Sequence, residues 1–229
     1  MYLRITAQGA RAEDLGGLLG KLPARFVVHQ PPSARLRLIV EASQPGSITF
    51  TLLAYPEPAS QWPDEPEKLE ILDYVRTRVE ALSPLFRSFL DSAFGAALRP
   101  LSREELLRTR FDLQAEIAPL AVNFRNPRLR GYFEPLGYRV EVESPIFGLD
   151  AVLLRVAGVQ TVPDVLRHMF VLVPAVDRAK RPPLTRAEAG RLSEVCHPWL
   201  EKHPKREAIA HSYRLRLTTL LNRDLLAAP

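Results

Sequence analysis

A chain of 229 residues, 46% apolar and 25% charged, is long enough for one large domain or two small ones and has ample material for a core. Its single cysteine, Cys196, excludes an internal disulfide. No run approaches the roughly 18 uninterrupted apolar residues of a membrane span, and the start from Met1 to Thr6 lacks the basic-then-apolar pattern of a secretory signal, so a cytoplasmic protein is expected. The formal charge of +5 is unevenly placed: residues 178–229 hold 11 Lys and Arg against 5 Asp and Glu, and the rest hold 20 against 21. A localised basic region of this kind attracts phosphate backbones, and it equally forms the solvated face of a helix.

In chain order, Tyr2 to Ala7 alternates as a strand, and Glu13 to Lys21 reads as a short helix with Leu15, Leu18 and Leu19 on one face. Arg35 to Val40 and Ser47 to Ala54 are strands, joined as a hairpin by Gln44, Pro45 and Gly46. Tyr55 to Pro66 holds four prolines and reads as a loop, and Glu67 to about Leu82 reads as a helix. Ser83 and Pro84 supply an N-cap and a first-turn proline for a helix to Leu98. Ser102 to Glu105 is a capping box for a brief helix, and Phe111 to Ile117 alternates as a strand. Asn126 to Phe133 reads as a helix that ends before Gly137, and Tyr138 to Glu143 and Ala151 to Ala157 read as strands.

From Pro163 the pattern is helical. Val165 to Val173 is apolar nearly all round, which marks a buried helix, and Pro174 is expected to stop or kink it. Thr185 to Glu188 is a second capping box, opening a helix to about Cys196. A last helix is expected from Pro204 to about Leu226, with Ile209, Tyr213, Leu217, Leu220 and Leu221 on one face. The order lacks βαβα alternation, so the expected class is α+β, with small antiparallel sheets, packed helices and a helical C-terminal third. Two lobes are expected: residues 1–122, and residues 123–229 with strands followed by helices.

The search for chemistry is negative. Gly16 to Leu22 suggests a phosphate loop, but Leu15 stands where the first glycine belongs and Leu22 replaces the hydroxyl residue that would hold magnesium. No Gly-x-Gly-x-x-Gly follows a strand, so no dinucleotide or adenosylmethionine site is expected. Among the histidines, His168 in the apolar helix reads as a hydrogen-bonded core residue, and Cys196 as a small buried thiol. Glu141, Glu143 and Asp150 could converge on a metal, although alternating charges on a strand usually face solvent. Catalytic, cofactor and metal residues are therefore expected to be absent. Lys202, Lys205, Arg206, Tyr213, Arg214 and Arg216 gather where the last helix begins, and fit either a nucleic-acid backbone or an acidic protein face.

Several blocks resemble the N-terminal domain of the bacterial Hen-type RNA ribose 2′-O-methyltransferases. They are Asp14 to Pro23, Phe94 to Leu98, Phe133 to Glu143, His168 to Asp177 with Lys180, and Trp199 to Ile209 with Tyr213, Leu217 and Thr218. They follow the family's order from Met1 to about Leu226. The resemblance implies a non-catalytic subunit of a bacterial RNA-repair complex that binds and activates an RNA ligase, such as the ligase module of a polynucleotide kinase–phosphatase–ligase. It implies no cofactor, and no methyl transfer in a chain that stops where the methyltransferase domain would begin. This sequence departs from the family in Asp177 to Thr185, which lacks the family's aromatics, in Arg76 to Glu80, and in Asn123 to Pro127. Asp177 and Lys180, which persist in an otherwise altered block, are the candidates for the partner interface. The alternatives are a stand-alone RNA-binding module, and a nuclease or transferase whose site assembles from scattered polar residues.

Overall fold

Alternation of apolar and polar residues gives the strand β1 (Tyr2–Gln8) its two faces: Leu3, Ile5 and Ala7 are buried, and Arg4 and Gln8 are exposed. In the computed structural model, which describes residues 1–19, 26–28, 34–56, 86–98, 105–122, 129–143, 151–177, 184 and 186–214, β1 lies in the middle of a sheet. A 3-10 turn (Ala12–Asp14) leads into α1 (Leu15–Leu19). Three strands follow: β2 (Phe26–Val28), β3 (Ala34–Gln44) and β4 (Ser47–Pro56). Next come α2 (Phe86–Leu98), α3 (Glu105–Arg108) and β5 (Phe111–Leu120). Then α4 (Arg130–Phe133) runs into a 3-10 turn (Glu134–Leu136), followed by β6 (Arg139–Glu143) and β7 (Val152–Gln160). The described chain ends with α5 (Val162–Val176), α6 (Arg186–Cys196), a 3-10 turn (Trp199–Lys202) and α7 (Arg206–Arg214).

The architecture is α+β. The sheet, however, is one large sheet of seven strands in the order β2-β3-β4-β1-β5-β7-β6, with every neighbouring pair antiparallel. A lobe boundary at residue 122 falls inside this sheet, because β5 hydrogen-bonds to β1 on one side and β7 on the other. One face is apolar and covered: α5 packs against β5, α2 packs against α5, and Phe94 of α2 meets Phe50 of β4 edge to face at 6.3 Å. The opposite face is polar.

The hairpin between β3 and β4 turns where the sequence places it, with Gly46 at φ 75°, a conformation that favours glycine. Gly137, at φ 87°, ends the turn before β6. Pro174 does not stop α5, which continues to Val176, and the Asp177 N–H reaches the Val173 carbonyl at 3.1 Å. Pro174 has no N–H for the Phe170 carbonyl, so α5 loses one ladder bond there and runs only two residues further. α5 opens on a side-chain cap: Thr161 Oγ1 accepts from the Asp164 N–H at 3.2 Å and donates to the Asp164 carboxylate at 2.7 Å. The expected helix at 67–82, the caps at 83–84, 102–104 and 185, and the last helix beyond 214 lie outside the described residues.

Candidate functional site

On the polar face, cross-strand pairing puts Thr51, Arg4, Glu116, Arg155 and Glu141 in one row across β4, β1, β5, β7 and β6. Glu116 is the hub. Tyr2 donates its hydroxyl to Glu116 Oε1 at 2.6 Å, and Arg155 donates Nε and Nη2 to Oε2 at 3.1 and 2.8 Å. The third nitrogen of Arg155 reaches Glu141 at 3.0 Å and Glu143 at 3.2 Å. Burial opposes ionisation of Glu116, but the Tyr2 and Arg155 hydrogen bonds and the cations beside it hold its carboxyl below the usual range. Burial, then the bond to Glu116, pushes the Tyr2 phenol up to about 12. Glu141 and Glu143 thus serve an arginine, and Asp150 lies outside the described residues. Among the described residues, no group of three or more His, Cys, Asp and Glu is placed to hold a metal ion. Beside this row a shallow depression of about 300 Å³ is lined by Gln114, Arg139, Glu141, Arg155 and Ala157.

Under the other face, an aromatic and histidine chain joins distant segments. Tyr138, before β6, places its hydroxyl 2.7 Å from His168 Nδ1. The His168 ring meets Trp199 at 4.7 Å, and Trp199 meets His203 at 6.0 Å, both edge to face. Burial, then the charges of His203 and Arg167, pushes His168 down to about 3. Burial raises the Tyr138 phenol as well, so Tyr138 stays protonated and donates to a neutral imidazole. His203 accepts from the Lys205 N–H at Nδ1 (3.0 Å), which leaves Nε2 to donate to the Tyr132 carbonyl at 3.0 Å. His168 is thus a bonded core histidine. Burial pushes the Cys196 thiol up to about 12, the environment of an inert thiol.

The basic candidates Lys202, Lys205 and Arg206 are all exposed, at the 3-10 turn and the start of α7. Arg214 closes the described part of α7, and Arg216 and Lys180 lie outside the described residues. Asp177 is only 4% exposed, at the end of α5, where its N–H bonds the Val173 carbonyl at 3.1 Å. Tyr213 is buried and donates its hydroxyl to the Val171 carbonyl at 2.6 Å.

Residues 1–227 match the family described as the RNA repair, ligase-Pnkp-associating region of Hen1. The chain belongs to this family. The match covers both sides of the expected lobe boundary, from β1 through the last described helix, and the family's role lies in RNA repair with a ligase partner. No curated protein matches the chain. No helix among the described residues is long and apolar enough to cross a membrane. The Hen1-like blocks noted in the sequence meet in space: Tyr138 comes from one, His168 from a second, and Trp199 and His203 from a third. Sequence reasoning missed this chain of contacts and the Tyr2–Glu116–Arg155 network. The one sequence signal for the network is an acidic residue inside the apolar second half of β5, where Glu116 sits between Ala115 and Ile117.

Proposed function

We propose that this protein is a non-catalytic subunit that binds an RNA ligase in a bacterial, cytoplasmic RNA-repair complex and activates it. The observation that carries this reading is the match to the ligase-Pnkp-associating region of Hen1 over nearly the whole chain. Activation then has a simple physical form. A rigid surface that binds one conformation of a mobile ligase element better than its alternatives raises the population of that conformation. The seven-stranded sheet, with ion pairs running Arg4–Glu116–Arg155–Glu141 across four of its strands, is the proposed scaffold. Asp177, at the end of α5, and Lys180, three residues later in sequence, are proposed for the partner interface.

Co-expression of the tagged chain with the kinase–phosphatase–ligase of the same genome tests the association. The expected result is co-purification in fixed stoichiometry through size exclusion. Elution of the two proteins at their separate positions, at micromolar concentration and moderate salt, would overturn it.

A further inference from the structure

The fold gathers cations that the sequence scatters. Lys202 ends the 3-10 turn, Lys205 lies in the turn before α7, Arg206 opens α7, and Arg130 opens α4 more than 70 positions earlier. His203 locks these segments together: it donates to the Tyr132 carbonyl and accepts from the Lys205 backbone N–H. A Cβ on Gly131 would sit 3.6 Å from Lys205 Cε, so the lysine stem lies against α4 at the residue next to Arg130 in sequence. The carboxylates nearby in sequence are partly occupied: Glu134 pairs with Arg130 at 3.7 Å, and Glu201 bonds His197 at 2.7 Å. Among the described residues no carboxylate pairs with Lys202, Lys205 or Arg206.

Two further observations decide what this surface fits. Protein interfaces are built around an apolar or aromatic anchor. The exposed large apolar residues among those described are Val40 and Val159, on β3 and β7, and Trp199 is half-buried, its indole N–H bonded to the Val195 carbonyl at 2.9 Å. The surface therefore offers charge without an anchor. It also lies in residues 178–229, whose 11 basic against 5 acidic residues supply the whole positive excess of the chain, Arg130 being the contribution from outside. A polyanion of regular spacing suits such a surface, since each neutralised phosphate releases condensed counterions.

We propose that Lys202, Lys205 and Arg206, with Arg130 beside them, form a contact surface for the phosphate backbone of single-stranded RNA. The contact is independent of base sequence, because phosphate oxygens are the same at every nucleotide. The inference rests on the proposed ligase association in one respect: RNA held here is useful beside the enzyme that seals it.

The test uses the full chain, a fluorescein-labelled single-stranded RNA of mixed sequence, and anisotropy titrations from 50 to 200 mM KCl. Four phosphate contacts give a slope of log affinity against log salt of about −2.8, a loss of roughly 50-fold over that range. The triple variant Lys202→Ala, Lys205→Ala, Arg206→Ala keeps about one contact, so its slope falls to about −0.7, a loss of roughly 3-fold. All three side chains are exposed, so the variant is expected to keep its circular dichroism and melting temperature. It is also expected to keep ligase co-purification. No RNA binding by the wild type at 50 mM salt, or equal affinity and slope in variant and wild type, overturns the inference. Loss of ligase co-purification by the variant with RNA affinity intact also overturns it and assigns the surface to an acidic protein face. Failure of the wild type to co-purify with the ligase sinks the ligase reading instead and leaves the RNA titrations interpretable.

Discussion

His168 makes the stability of this protein depend on pH well above the carboxylate range. Its imidazole is buried on α5, bonded to Tyr138 at 2.7 Å and packed edge to face against Trp199, and its protonation is held down to about 3. An unfolded histidine titrates near 6.5. The folded value is depressed, and the favoured state is the neutral one. The stability His168 contributes is therefore complete above about pH 6.5 and is lost as pH falls from there toward 3. In that window the unfolded chain binds one more proton than the folded chain, a slope near 1.4 kcal/mol per pH unit. Between pH 7.5 and 5 the loss comes to about 2 kcal/mol. His203, lowered by burial and by Lys205 against the opposing effect of its Tyr132 bond, works in the same direction. Ending at pH 5 leaves out most of the loss from Glu116, whose depressed carboxyl is protonated at lower pH. The assay is urea unfolding at half-unit steps, followed by circular dichroism. The His168→Gln variant is expected to start less stable by about 1–3 kcal/mol, from lost packing and a poorer bond to Tyr138. It is also expected to lose about 2 kcal/mol less than the wild type between pH 7.5 and 5. Equal pH slopes in the two proteins would refute the reasoning, whatever their absolute stabilities.

A Cβ on Gly158 would lie 2.8 Å from the Gly137 carbonyl oxygen, a backbone atom, so Gly158→Ala is expected to cost about 1–3 kcal/mol and lower the melting temperature by several degrees. Gly190 on α6 has nothing within 4 Å of its Cβ position, so Gly190→Ala is the control and is expected to raise stability by up to about 1 kcal/mol. Glu116→Gln removes the carboxylate shared by Tyr2 and Arg155 while Glu141 and Glu143 still hold Arg155, so a loss of about 1–3 kcal/mol is expected in urea unfolding. Cys196, with its thiol pushed up to about 12, is expected to react with a disulfide reagent only as fast as the chain opens around it, and at free-thiol speed in denaturant. Fast labelling of the native protein would show that the thiol is not enclosed.

Local pattern made some of this structure legible. The period of two in β1, the Pro45–Gly46 turn and the all-round apolar character of α5 each follow from contacts close in sequence. The order of the sheet does not. β1 sits between β4 and β5 because its two edges pair with segments about 40–50 and more than 100 residues away, and no residue within β1 announces either partner. The same limit hid the polar network. Glu116 reads as a solvent-facing residue until Tyr2 and Arg155 arrive from other strands and leave it 9% exposed. Lys205 reads as basic in sequence, but its position against Gly131 of α4 goes with the bond between His203 and Tyr132. Pro174 marks the end of α5 only approximately, since the helix runs two residues past it to Val176.

The most direct measurement of the central claim is transfer of labelled adenylate from ATP to the ligase, with and without this chain. The account predicts that labelling rises with added chain and saturates at a fixed ratio of the two proteins. Labelling that stays the same across that titration, in a ligase shown to be competent to accept adenylate, would contradict it.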